Sequence, residues 1–113
     1  MRGEVYLVSF DPTVGSEIRK TRPAVIIQND IANRHSPVTI VAAITSHKER
    51  HQHPTDVFVP KDEAGLTADS FILLNQIRTI DRRRLIKRFG IVSPKTMKAI
   101  NTALEISIGL VEV

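Results

Sequence analysis

The chain lacks cysteine and tryptophan, and its few aromatic residues are Tyr6 and four phenylalanines, Phe10, Phe58, Phe71 and Phe89. Without cysteine there can be no disulfide, no thiolate nucleophile and no cysteine-ligated zinc, which fits a reducing compartment and makes the cytoplasm the expected location. Few aromatics leave few platforms on which nucleic-acid bases could stack. Long apolar runs are also missing. None approaches the roughly 18 residues that a membrane span needs, and Met1-Arg2-Gly3-Glu4 lacks the apolar core of a signal peptide. The expectation is a protein with no membrane partner.

What is present suffices for a core. At 113 residues the chain suits one domain, expected over 1–113, because chains of this size bury about two-thirds of their unfolded surface around a single core. Hydrophobic residues make up 42% and charged residues 25%, a balance that folds rather than one that stays disordered. Sixteen Lys and Arg against twelve Asp and Glu give a net charge of +4. That excess favours a polyanionic partner without deciding it, since it also serves solubility.

The pattern is strand-rich until near the end. Glu4 to Phe10 is a run of β-formers closed by the turn pair Asp11-Pro12. Thr13 to Thr21 is a long polar connection. Ala24 to Gln28 forms a short apolar strand entered through Pro23, and Ile31 to Ser36 a turn or brief helix. Val38 to Thr45 is apolar almost throughout, as a central strand buried on both faces should be. Further strands are expected at Asp56–Val59, Ser70–Leu74, Gln76–Ile80 and Lys87–Val92, with Asp81 capping a turn through Arg82-Arg83-Arg84. A single long helix then starts with Ser93 as N-cap and Pro94 in the first position. Its stripe of Met97, Ile100, Leu104, Ile108 and Val111 should lie on a small β-barrel formed by the strands. The fold class is mainly β with one C-terminal helix.

A few residues could carry chemistry. Arg22 stands between the polar loop and a strand, stiffened by the following proline, and a guanidinium so presented suits a phosphate; a surface ion pair with Glu17 or Asp30 is the plainer reading. Thr45 and Ser46 put hydroxyls at the end of the apolar strand, where they can donate to a phosphoryl oxygen or simply begin a turn. From Arg78 to Arg88 there are six cations against Asp81, either a phosphate-binding rim or a solvated face. His35, His47, His51 and His53 invite a metal reading, but their setting is a polar loop beside Pro54 and no HExxH pattern occurs. No metal and no cofactor are expected.

Several motifs in order carry a resemblance: Arg2-Gly3-Glu4-Val5-Tyr6, then Asp11-Pro12-Thr13 with Gly15-Ser16-Glu17, then Arg22-Pro23 before Val25-Ile26-Ile27-Gln28-Asn29-Asp30, and finally Leu74-Asn75-Gln76-Ile77-Arg78-Thr79-Ile80-Asp81. Together they resemble the MazF/PemK (Kid) toxins, from Arg2 to about Leu110. The resemblance implies an SH3-like β-barrel with a C-terminal helix packed on it, a homodimer, and a ribosome-independent, metal-independent endoribonuclease acting on single-stranded RNA. It implies an antitoxin whose disordered C-terminal segment folds along the toxin. By position it makes Arg22 and Thr45 catalytic, with Glu17 in a supporting acid-base role. It also places Ser16, Ser46, Ser70, Gln76 and Arg78 among the RNA-binding residues. Two alternatives share the fold: a non-catalytic toxin like CcdB that inhibits a protein such as DNA gyrase, and a plain SH3-like adaptor. The Arg22 and Thr45 pair is required only by the ribonuclease.

Overall fold

The protein is described by a computed structural model over residues 1–12, 14–17, 20–46 and 53–112. Six strands, β1 (Glu4–Ser9), β2 (Thr21–Ile26), β3 (Val38–Thr45), β4 (Asp56–Val59), β5 (Ser70–Asp81) and β6 (Leu85–Ile91), are joined by a short helix α1 (Asp30–His35) and followed by α2 (Pro94–Ser107). They form one antiparallel sheet in the order β4-β5-β3-β2-β1-β6. The β-plus-α class is the expected one. The sheet, however, is not closed: β4 and β6 are its edges.

Chain length forces the sheet to curl. Three strands separate β5 from β6, which in a flat sheet means about 19 Å between them at roughly 4.8 Å per step. Only the turn Arg82–Arg84 connects them, and the four Cα steps from Asp81 to Leu85 reach at most about 15 Å. The strands therefore wrap, and Ile80 and Leu85 meet in one cluster with Val8, Phe10, Ala24, Ile26, Val41 and Ala43. The opposite face carries a second core built from Val25, Ala42, Ile44, Ile72 and Leu74, with Val57 and Val59 from β4 and Ile100 and Ala103 from α2. β3 contributes alternate residues to each, which explains its unbroken apolar run.

The two strands expected between Ser70 and Ile80 are one strand with a bulge. Ala42 pairs with Ile77 while its neighbour Ala43 pairs with Leu73, so residues 74–76 are extra on the β5 side. A bulge bends its strand. Here it lets Ile72 and Leu74 serve one core and Ile80 the other.

The helix α2 starts as expected, with Ser93 Oγ accepting from the Thr96 amide at 3.1 Å and Pro94 opening the first turn. It stops earlier than its apolar stripe. Gly109 takes φ +79°, its amide donates to Ile106 O at 3.2 Å, and the Leu110 amide donates to Glu105 O at 2.8 Å. These are the two bonds of a glycine-terminated helix end. Ile108 and Val111 consequently lie beyond α2 and are exposed, whereas Met97, Ile100 and Leu104 pack on the core. A close crossing secures the far side of the sheet, where the turn Glu63–Gly65 lies across β6. A Cβ added to Gly90 would come within 2.8 Å of the Ala64 carbonyl carbon.

Candidate active site

The strand carrying Arg22 begins sooner than its apolar residues suggest. β2 starts at Thr21, so Arg22 lies within it and pairs with Val8 of β1. On its other side the ladder to β3 begins at Ala24, opposite Ala43. Pro23, which has no N–H to give, is the residue just before. The ladder stops there, but counting two residues outward along each strand gives Arg22 and Thr45 the same parity as Ala24 and Ala43, and so the same face. Thr45 is the last residue of β3 and is only 9% exposed, while Arg22 is half-buried. The pair thus stands where the interior of the curl ends, beyond the apolar cluster.

A second group adjoins it. Glu17, Gln76 and Arg78 line a pocket of about 50 Å³ with Phe10 and Ile77, room for little more than a water or two. Phe10 belongs both to this pocket and to the cluster that holds Ala24 and Ala43, so the pocket abuts the core on the face that Arg22 and Thr45 share. The Glu17 carboxylate accepts from the Val14 amide at 2.5 Å, and the Glu17 amide donates to Val14 O at 3.2 Å. These bonds hold the acid in a tight local turn, and the adjacent Ser16 is exposed.

The remaining candidates fall differently. Ser46 is exposed directly after Thr45. Ser70 lies on the opposite face, because its neighbour Phe71 is the residue paired with Thr45; its buried hydroxyl donates to Ala68 O at 2.8 Å. In the basic run, every arginine has a partner within the fold. Arg78 and Arg84 bond carbonyls at the end of β1, Arg82 bonds Asn33 O, Arg83 pairs with Asp81, and Arg88 pairs with Glu4 at 2.5 Å. The arginines of the run thus bond within the fold, although Arg82, Arg83 and Arg88 are exposed.

His35 ends α1, ahead of β3, and so lies at the other end of that strand from Thr45. The His53 amide donates to Asp56 Oδ2 at 3.0 Å, and His47 and His51 lie outside the described residues. Among the described residues no three His, Asp or Glu side chains gather as a metal site would require.

Phe10, in the sequence only one of four phenylalanines on which a base could stack, is buried here as a wall of the pocket. The motif Gln28-Asn29-Asp30 proves to be structural. Gln28 Nε2 donates to Asn33 Oδ1 at 3.0 Å, Asn29 caps α1, and Asp30 accepts from the Arg2 amide at 2.6 Å. That amide bond, with a further one from Asn33, holds the Asp30 carboxyl below its usual range.

A guanidinium and a hydroxyl presented on one face can grip a phosphodiester, the arginine by charge-assisted bonds and the threonine by a neutral one. Similarity to known proteins agrees with that chemistry. A family model described as PemK-like, MazF-like toxin of type II toxin-antitoxin system matches residues 1–108. An endoribonuclease MazF from Staphylococcus saprophyticus is 49% identical over 109 residues, covering 96% of this chain and 91% of that protein. A mycobacterial endoribonuclease solved in complex with its cognate antitoxin superposes with a TM-score of 0.82 at 28% identity, covering 100% of this chain and 98% of that one. A MazF from Deinococcus radiodurans shares the fold with a TM-score of 0.81 at 20% identity, over 96% and 94% of the two chains. With a family model spanning nearly its whole length and close to half its residues identical to a MazF, the chain belongs to the PemK-like, MazF-like toxins of type II toxin-antitoxin systems.

Proposed function

We propose that this toxin is an endoribonuclease that cuts single-stranded RNA with Arg22 and Thr45 at the scissile phosphate. The observation that supports the reading is strand parity, which gives Arg22 and Thr45 the same face as the paired Ala24 and Ala43. In the reaction the substrate's 2′-oxygen attacks the adjacent phosphorus as its proton departs. The bond from phosphorus to the 5′-oxygen breaks, and that oxygen gains a proton. One fragment ends in a 2′,3′-cyclic phosphate and the other begins with a 5′-hydroxyl. Because the nucleophile belongs to the substrate, the protein's tasks are alignment and charge stabilisation, and no metal-activated water is required.

Arg22 stays cationic throughout and stabilises the charge gathering on the phosphoryl oxygens. Thr45 donates to one of them. Glu17, the carboxylate of the neighbouring pocket, supports proton transfer, while Ser16, Ser46 and Gln76 contact the flanking RNA. The toxin works in the cytoplasm as a homodimer. Apolar side chains left exposed beyond α2, Ile108, Leu110 and Val111, favour such an association. Its antitoxin restrains it by laying a disordered C-terminal segment along the RNA groove, and the mycobacterial relative solved with its cognate antitoxin supports that partnership.

The test is incubation of purified protein, with EDTA present, against a long single-stranded RNA and a duplex control, with Arg22→Ala in parallel. Discrete single-strand cuts with cyclic-phosphate ends, lost in a folded Arg22→Ala protein, are expected. Undiminished cutting by that variant would remove Arg22 from the mechanism. Intact RNA at high enzyme excess would shift the function to inhibition of a protein target.

A further inference from the structure

Four consecutive carbonyls at the exit of β1 are claimed by two arginines in alternation. Arg84 Nη1 donates to Ser9 O at 3.1 Å and to Asp11 O at 2.6 Å. Arg78 donates through Nη1 to Phe10 O and through Nη2 to Pro12 O at 3.4 Å. One guanidinium comes from β5 and the other from the turn after it, so the strand end is held by two elements. The returning chain is tied to the same place. The Phe10 amide donates to Lys20 O at 2.9 Å, and the Lys20 amide donates to Asp11 Oδ1 at 3.0 Å.

The connection that leaves from this neck carries Ser16 and Glu17. Arg78 also lines the pocket that Glu17 shares with Gln76. If either arginine turned to hold a substrate phosphate instead, it would give up carbonyls at the base of that connection. Charge-assisted bonds of this kind are about twice as strong as neutral ones, so the exchange would loosen the loop as it gained the phosphate.

We propose that Arg78 and Arg84 are positioning residues of the ribonuclease, a clamp that sets the loop bearing Ser16 and Glu17 against Arg22 and Thr45 without itself holding RNA. The inference rests on the ribonuclease reading above, but its structural half can be measured without catalysis. The variants are Arg78→Gln and Arg84→Gln, with Arg78→Lys and Arg84→Lys for the case in which a glutamine variant fails to fold. Three quantities are read: amide hydrogen exchange across residues 14–17, the salt dependence of affinity for a 2′-O-methyl single-stranded RNA that cannot be cut, and kcat on the cleavable RNA.

Exchange at Val14 to Glu17 should quicken by at least about tenfold. The rate kcat should fall by roughly ten- to a hundredfold, as expected when a catalytic group is displaced by about an ångström, and the salt slope should not change. Lysine, which can still reach a carbonyl with its charge, should restore part of the rate. In a Glu17→Gln background the clamp variants should lower kcat little further, since the residue they position is already gone.

A salt slope shallower by about 0.7 for each arginine removed, the value for one lost phosphate contact on a single strand, with unchanged exchange at 14–17, would overturn the proposal and make these arginines RNA ligands. Should the wild-type protein cut no RNA, the ribonuclease reading fails by itself. The exchange measurement then still decides the clamp, and unaltered protection in both glutamine variants would refute it.

Discussion

Replacing Asn33 with alanine should destabilise the protein by about 3 kcal/mol, far more than its position on a six-residue helix suggests. Asn33 is 7% exposed and uses both ends of its amide. Its Oδ1 accepts from Gln28 Nε2 at 3.0 Å and from Thr39 Oγ1 at 2.8 Å, and its Nδ2 donates to Gln28 O at 2.9 Å and to Asp30 Oδ1 at 3.3 Å. Truncation does not strand every partner. Gln28 Nε2 keeps Val38 O at 3.1 Å, and Asp30 keeps the Arg2 amide. The Thr39 hydroxyl and the Gln28 carbonyl, however, lose the bonds that Asn33 supplied, at about 1–3 kcal/mol each when buried. Alanine's better helix propensity returns up to about 0.7 kcal/mol.

With an unfolding entropy of about 2.1 cal/mol/K per residue, a loss of 3 kcal/mol lowers Tm by roughly 12 °C in a chain of this length. Urea denaturation of wild type, Asn33→Ala, Thr39→Val and the double variant measures it directly. Thr39→Val should cost less alone and little more once Asn33 is gone, because the two share a bond. A single-variant loss below about 0.5 kcal/mol would refute the argument that this network stabilises the fold.

Two other predictions concern the scaffold. Gly90→Ala would press its Cβ against Ala64 backbone atoms at 2.8 to 3.0 Å, and backbone cannot swing aside as a side-chain tip can; a loss of about 1–3 kcal/mol in the same denaturation assay is expected, and an unchanged midpoint would mean the crossing is looser than it looks. Acid should destabilise the fold. Partial burial pushes Glu4 up, but the N-terminal ammonium and Arg88 outweigh it and leave its carboxyl depressed; Asp81 is depressed by Arg83, and Asp30 by the Arg2 amide. Carboxylates with depressed folded pKa values stabilise the protein above their unfolded values near pH 4 and lose that contribution as pH falls through the folded ones. Tm should therefore decline progressively below about pH 4, and a flat profile down to pH 2 would contradict these assignments.

Much of the fold could be read along the chain because local rules were obeyed. Ser93 and Pro94 announced the start of α2, Asp81 announced the turn after β5, and the unbroken apolar run of Val38 to Thr45 announced a central strand. Where the reading went astray, a local signal competed with a longer pattern. Gly109 ended α2 although the apolar stripe ran on to Val111, and the bulge at residues 74–76 made one strand appear as two. The resemblance put Ser70 among the RNA-binding residues, and strand parity sets it on the face away from Thr45.

By itself the sequence determined the strand-rich class, the capped terminal helix, the positive charge and, through ordered motifs, the toxin family. Those properties follow from short-range chemistry: side-chain periodicity, capping, turn residues and composition. Only the tertiary structure decided that Arg22 and Thr45 share one face of the sheet, that Glu17 joins Gln76 in a pocket walled by Phe10, and that Arg78 and Arg84 brace the end of β1. Each of these depends on register and on a sheet compelled to curl by the short link between β5 and β6. Such a constraint acts between residues tens of positions apart, where no local pattern records it.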